Sequence, residues 1–383
     1  MNSQRICPIP CSIIPRRCEE MEDYQREFNE RVLAIFEETR AVNFNDFKDE
    51  ADKFSIALKE NAVDHYIPLT KLRIVLQKSP KCIKEMFPIK MVQLLIKMTS
   101  FNNTIDTLLI EEIIKIYLHC ETLYIKLLPY SENNKEISSY QLQEFITANY
   151  VPLMKKQPEK VEYYAAYIVG IMFFILDARR KDFALIQDLL TSTLFFHLET
   201  CILYENEDTD EEPPIEFFSL RSFQKALNEF RSLDVDRNGV LSESEMLVFG
   251  GSYYNSIFIK RIFEISHTYE KGFLDFKGFV DLISAIEFRH TRASAKYHFE
   301  AFDLKNDGVL DEHEIRELCL MLPECIPEDN VPSADIMVAE VMDMIRAKKY
   351  LTLEDVMASK MFSTFTGFIS NYNDWNRYER REQ

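Results

Sequence analysis

The chain has 383 residues, and its 45 Lys and Arg against 63 Asp and Glu leave a formal net charge of −18. This balance argues against nucleic acid as a main partner, because phosphate contacts call for an excess of Lys and Arg. Only 8 glycines are present, which disfavours hairpin-rich β folds and phosphate-cradling α/β folds, since both need residues at positive φ.

Residues 1–20 carry Pro and Arg without an apolar period and read as a disordered arm. They lack the continuous apolar core of a secretory signal. Cys7, Cys11 and Cys18 cluster there, but no CxxC pair or nearby His completes a zinc set, so free thiols and a reducing cytoplasm are expected. Residues 21–64 form a helical segment, with Phe28, Val32, Ile35 and Phe36 at three- and four-residue steps. Residues 65–204 read as a helical domain, striped by Met91, Leu94, Leu95 and Met98 and by Ile110, Ile113, Ile114 and Tyr117. The apolar run Tyr163–Leu176 falls short of the roughly 18–20 residues that cross a bilayer and reads as a buried helix, so no membrane is expected as a partner. Residues 205–216 open with ENEDTDEEPP; a like-charge block ending in Pro-Pro reads as a solvated linker rather than a site for a basic surface. Residues 217–383 resume as helices.

Two loops in that last domain carry chemistry. Asp234–Glu245, DVDRNGVLSESE, matches the EF-hand calcium loop D-x-[DN]-x-[DN]-G-x5-E at every defining position. Asp234, Asp236 and Asn238 offer hard oxygens at alternate positions. Gly239 takes the sharp bend and Val240 gives a carbonyl. Ser242 can hold a water, and Glu245 closes the sphere with two oxygens. Asp303–Glu314, DLKNDGVLDEHE, places Asp303, Asp307, Gly308, Val309, Asp311 and Glu314 correctly, but its third residue is Lys305. An ammonium has donors only and cannot coordinate calcium. The second loop is expected either to bind calcium more weakly, with a water in the third place, or to be purely structural.

EF-hand loops pair. His267–Gly278 keeps Gly272 and Leu274 without carboxylates, and Met344–Asp355 keeps Leu351 with lysines where ligands would stand. Both read as degenerate sisters. Fainter versions of the rhythm occur at Asp177–Asp188, at Tyr130–Gln141 and around Ile105, with Asp182 and Lys135 at the turn of the first two; ordinary inter-helix loops fit these equally well. The fold class is therefore all-α, an elongated array of EF-hand and degenerate EF-hand helix pairs joined by short two-stranded loop pairings.

At this point the chain resembles the B-double-prime (PR72/PR70-like) regulatory subunits of protein phosphatase 2A. The likeness is carried by Phe217–Met246, FFSLRSFQKALNEFRSLDVDRNGVLSESEM, by Ile257–Arg289, by AKYHFEAFDLKNDGVLDEHEI at Ala295–Ile315 and by the closing DWNRYERRE, and more loosely extends back to residue 65. It is similar to the shorter, gamma-type members, and also to the nematode spindle-assembly regulators that belong to the family. The resemblance implies a non-catalytic subunit that docks on the phosphatase scaffold and catalytic subunits, places the enzyme and selects substrates, with calcium tuning the assembly. The nematode type further implies a centrosomal or spindle partner and address, beside the cytoplasm. It makes Asp234, Asp236, Asn238, Val240, Ser242 and Glu245 a calcium site, and Lys305 is a departure from the better calcium-binding members.

No nucleophile elbow, Walker loop, HExxH or kinase set is present, and the 7 histidines are scattered singly, so the chain reads as not an enzyme. Two rivals remain: a free calcium sensor with a groove around Met342, Met344, Met357 and Met361, and a structural adaptor whose metal serves only folding.

Overall fold

A computed structural model of the chain describes residue 31 and residues 44–99, 103–176, 182–207, 216–266, 272–321, 333–345 and 350–381. The amino-terminal arm with its three cysteines, the stripe from Phe28 to Phe36 and residues 208–215 of the acidic run lie outside the described residues. Packing divides the chain into two compact units, one of residues up to Lys135 with Ile186–Phe196, the other of Glu136–Leu185 with the residues from His197 onward. The stretch 65–204 is thus shared between them.

In the first unit α1 (Phe44–Asn61) leads to β1 (Tyr66–Pro68), α2 (Leu69–Lys78), α3 (Lys81–Glu85), α4 (Ile89–Met98), β2 (Thr104–Asp106) and α5 (Thr107–Leu127). The stripes that made these segments helical also face inward. Met91, Leu94 and Leu95 of α4 and Ile110, Ile113, Ile114 and Tyr117 of α5 are buried, as helical periodicity requires of an amphipathic face. Asp106 starts α5 by accepting the Leu108 N–H at 2.9 Å, which satisfies one of the free donors of the first turn. β1 and β2 pair antiparallel with Ile67 opposite Ile105, both fully buried.

The second unit begins with β3 (Glu136–Ser138), α6 (Ser139–Asn149), α7 (Val161–Ile175) and β4 (Phe183–Leu185). α8 (Ile186–Thr191) belongs to the first unit, where it packs on α5. After α9 (Leu194–Asn206) come α10 (Leu220–Leu233), α11 (Glu243–Met246), α12 (Ser256–Ile265), α13 (Phe276–Glu287) and α14 (Arg292–Phe302). The chain closes with β5 (Leu310–Asp311), α15 (Glu312–Met321), α16 (Ala334–Ile345), β6 (Tyr350–Leu351), α17 (Leu353–Ala358), α18 (Phe362–Ser370) and α19 (Tyr372–Glu379). The described helices and very short strands give the all-α class expected from the scarcity of glycine.

α7 is the axle of the second unit. Its apolar run is buried almost all round, from Tyr164 to Phe174, because it packs on both α6 and α13. No described helix is long and apolar enough to cross a membrane. The buried Tyr164 hydroxyl donates to the Phe218 carbonyl at 2.8 Å. Gly170 lets α7 approach α13: a Cβ there would stand 2.9 Å from Val280 Cγ1.

Glu205 and Asn206, read from the sequence as the head of the solvated linker, are the last residues of α9. Their side chains have backbone partners there. Glu205 accepts the Leu220 N–H, while Asn206 donates to the Leu153 carbonyl at 2.7 Å and accepts from Lys155 N–H at 2.6 Å. Burial pushes the Glu205 carboxyl above its ordinary range.

The Gly170–Val280 contact generates a size-swap prediction. Gly170→Val should lower the unfolding free energy by about 1–3 kcal/mol through overpacking, and adding Val280→Ala should recover part of the loss. Urea denaturation of the single and double variants measures this; strictly additive losses would mean that the two helices do not meet there.

Candidate metal centre

Loop 1 is held between α10 and α11. Phe223, Leu227, Phe230 and Leu233 form the buried stripe of α10, and Met246 is buried at the end of α11. Between them the loop binds its own backbone with its acidic side chains. Asp234 accepts the N–H groups of Asn238 and Gly239, each at 3.0 Å. Asp236 also accepts the Asn238 N–H at 3.0 Å, and Asn238 accepts from Val240 N–H at 2.9 Å. Glu245 reaches back from the twelfth position to Val235 N–H at 2.8 Å and to the Ser242 N–H and hydroxyl at 2.9 and 2.7 Å. Asp234, Asp236 and Glu245 thereby present carboxylate oxygens within 4.8 Å of one another. Gly239, at φ 87° with nothing near a would-be Cβ, makes the turn; its need is for conformation, not space.

Ser242 and Glu245 also form a capping box that starts α11. The Glu245 carboxyl is held below the usual carboxylate range, chiefly by the Ser242 N–H and hydroxyl, with Val235 N–H adding to it. The donor set of loop 1 consists of hard oxygens, with carboxylates at positions one, three and twelve, which is the chemistry that suits calcium.

The exit from loop 1 is unusual. α11 is one turn long and is followed by a turn in which Gly250 and Gly251 have φ of 58° and 74°. At Gly250 a Cβ would come within 2.6 Å of the Tyr254 ring. Beyond it the fully buried Asn255 caps α12 through Ile257 N–H at 2.9 Å and donates to the Leu318 carbonyl at 2.6 Å. Its own N–H bonds the Ser370 carbonyl at 2.9 Å, and Tyr254 bridges Asn371.

Loop 2 runs from α14 into α15. Asp303 accepts Gly308 N–H at 2.8 Å and Asp307 N–H at 3.2 Å. Glu314, 1% exposed, accepts Lys305 N–H and Asp311 N–H, each at 3.0 Å. Asp303, Asp307 and Glu314 bring carboxylate oxygens within 4.8 Å of one another. Asp311 is placed differently: it takes the Lys305 ammonium, which holds its carboxyl below the usual range. Val309 follows Gly308 (φ 83°), and its N–H donates to Asp307 at 3.1 Å.

Each loop meets the sister expected for it. Leu241 and Leu274 exchange backbone bonds of 2.7 and 2.8 Å, and Leu310 pairs with Leu351. The described part of the fourth hand keeps a capping box between Thr352 and Asp355. The upstream rhythm is also structural rather than a set of ordinary loops. Ile137 pairs with Ala184 and Ile105 with Ile67, so a first hand around Ile67, missed in the sequence, completes the series. Its signal is His65, which holds φ 67° two residues before the paired Ile67, as Asn103 (58°) and Asp182 (55°) do before Ile105 and Ala184. Lys135 is not the turn residue: Asn134 takes φ 58° instead, because a short polar side chain tolerates the left-handed region.

Other reactive side chains are spent on the core. His298 is fully buried, stacks parallel on Phe258 and contacts the Ser294 carbonyl through Nδ1 at 2.9 Å; burial pushes it down to about 4. Cys120, Cys201 and Cys319 are buried thiols outside any disulfide, pushed up to about 12 by burial. Of the four methionines behind the sensor reading, Met344 is buried and Met342, Met357 and Met361 are half-buried.

Three family models match the chain: the RSA-1 N-terminal domain over residues 21–121, the RSA-1 middle domain over 132–219 and the RSA-1 C-terminal domain over 234–383. The chain is 45% identical to the Caenorhabditis elegans serine/threonine-protein phosphatase 2A regulatory subunit rsa-1, across 98% of this chain and 96% of that protein. It is 29% identical to the human B'' subunit gamma, across 57% of this chain and 49% of that protein, so this match spans about half of the relative. In fold it is similar to a chain of a solved structure named as a PP2A PR70 holoenzyme, with "diCa" in its name. The TM-score is 0.56 and the identity 19%, over 67% of this chain and 98% of that one.

The Glu245 geometry has a pH consequence. A carboxyl whose folded value is depressed adds stability that is fully present above its unfolded value and is lost as pH falls through the folded one. With a chelator present, the stability gap between the parent and Glu245→Gln should shrink as pH drops below 4.5. Urea titrations at fixed pH values measure this gap; a gap that stays constant into the acid range would mean that the carboxylate is not held as described.

Proposed function

The chain belongs to the RSA-1 family, among the B'' regulatory subunits of protein phosphatase 2A, and is non-catalytic; from that premise we propose a calcium-responsive targeting subunit. It joins the phosphatase scaffold and catalytic subunits, selects substrates for them and binds calcium at loop 1. The observation that carries the metal reading is the cage of Asp234, Asp236 and Glu245, whose carboxylate oxygens lie within 4.8 Å of one another. Asn238, Val240 and Ser242 supply the remaining oxygens of a loop-bound calcium ion. In that role the ion would neutralise the three clustered carboxylates and fix α10 against α11. A centrosomal or spindle address and partner, within the cytoplasm, rest on the resemblance to the nematode spindle-assembly regulators alone.

Pull-down of the full-length chain should recover the phosphatase scaffold and catalytic subunits, and failure to recover either, with calcium or with chelator, would sink the proposal. Calorimetry should show calcium uptake that weakens by at least about tenfold in Glu245→Gln, because the bidentate twelfth residue is lost. Tight binding that survives the change would place the metal elsewhere.

A further inference from the structure

The two loops differ in where their positive charge comes from. Among the described residues no Lys or Arg forms an ion pair with Asp234, Asp236 or Glu245 of loop 1. In loop 2 the third residue supplies a cation of its own. The Lys305 ammonium donates to Asp311 and lies 3.9 Å from Glu314 Oε2, against the ninth and twelfth residues of the loop. Glu314 is 1% exposed, while the Lys305 and Asp311 side chains are 43% and 38% exposed, so the ammonium closes the loop from its solvent side. A divalent ion brought to the same carboxylates would meet an ammonium that offers no lone pair and repels it.

A second, independent brace holds the start of loop 2. The guanidinium of Arg261, on α12, is 7% exposed. Its Nη2 donates to the carbonyls of Glu300 and Asp303 at 3.0 and 2.8 Å and to the Asn306 side chain at 2.8 Å. A planar, always charged fork suits several fixed acceptors at once. Asn306 sits at φ 55°, and this bond holds the side chain of that left-handed residue in place.

We propose that loop 2 is a metal-free EF-hand whose folded shape is held by the Lys305 ammonium as a tethered internal cation, with Arg261 bracing its entry. Any calcium that the chain takes up then goes to loop 1, and loop 2 keeps its closed form whatever the calcium level. This deepens the reading of loop 1 by assigning calcium dependence to one loop of the two, and it does not require loop 1 to bind.

The test is calcium titration of the full-length chain by equilibrium dialysis or calorimetry, with calcium alone as the probe. The parent should bind one ion at loop 1, and Glu245→Gln should bind at least about tenfold more weakly. Lys305→Asn, which replaces the ammonium by an amide oxygen at the third position, should gain a second site. In the double variant Glu245→Gln with Lys305→Asn, one ion should bind at loop 2 at least about tenfold more tightly than in Glu245→Gln alone. Unfolding in chelator gives a second readout: Lys305→Asn should melt at a lower temperature than the parent and recover on adding calcium. The proposal is overturned if Glu245→Gln still binds an ion that Glu314→Gln removes, or if the double variant, folded by circular dichroism, binds none. Should the parent bind nothing while Lys305→Asn binds one ion, the loop 1 reading fails and this one stands.

Discussion

A single helix-loop-helix unit cannot hide the apolar residue at the eighth position of its loop; it needs a second loop laid against the first. In the pair formed by Leu241 and Leu274, two backbone bonds of 2.7 and 2.8 Å close that contact, and both side chains are fully buried. Ile67 with Ile105, Ile137 with Ala184 and Leu310 with Leu351 repeat it. The N–H and carbonyl of the buried Leu241 and Leu274 are satisfied across the pair, each by the other loop. A hand without clustered carboxylates must therefore still be kept, which explains why such loops stand beside the two acidic ones.

This constraint also explains what was legible in the sequence. Loop 1 and loop 2 announce themselves by carboxylates at fixed spacing, and Leu274 and Leu351 could be placed as sisters because a spaced leucine survives the loss of ligands. The hand at Ile67 was hidden because its left-handed turn is made by His65 rather than Gly, so neither motif nor glycine marks it. The same substitution misled the choice of Lys135 over Asn134. Local preference for Asn, His and Asp in that region is real but weak, and only the pairing of strands makes it decisive. Glu205 was misplaced for a related reason: a charge run reads as solvated, yet one member finds the free N–H of Leu220.

The acidity of the chain is likewise not one property. Glu245 works inside its loop as a helix cap and backbone acceptor before any ion is considered. Glu314 plays the same part against Lys305 N–H and Asp311 N–H. Such carboxylates are positioned by N–H groups, so the loops are largely pre-shaped. For a metal at loop 1, as proposed, little reorganisation is left to drive, which favours affinity over large movement.

The brevity of α11 sets a mechanical limit. Four helical residues span about 6 Å, and the two left-handed glycines that follow end the rod before it can extend. A swing of this helix would sweep its far end through only a short arc, unlike a long exit helix that acts as a lever. Whatever strain arises in loop 1 is instead handed within nine residues from Met246 to Asn255, a buried pin that ties the start of α12 to Leu318 and Ser370. The second unit is thus geared for small displacements felt at the junction of α12, α15 and α18, rather than for the opening of a wide jaw.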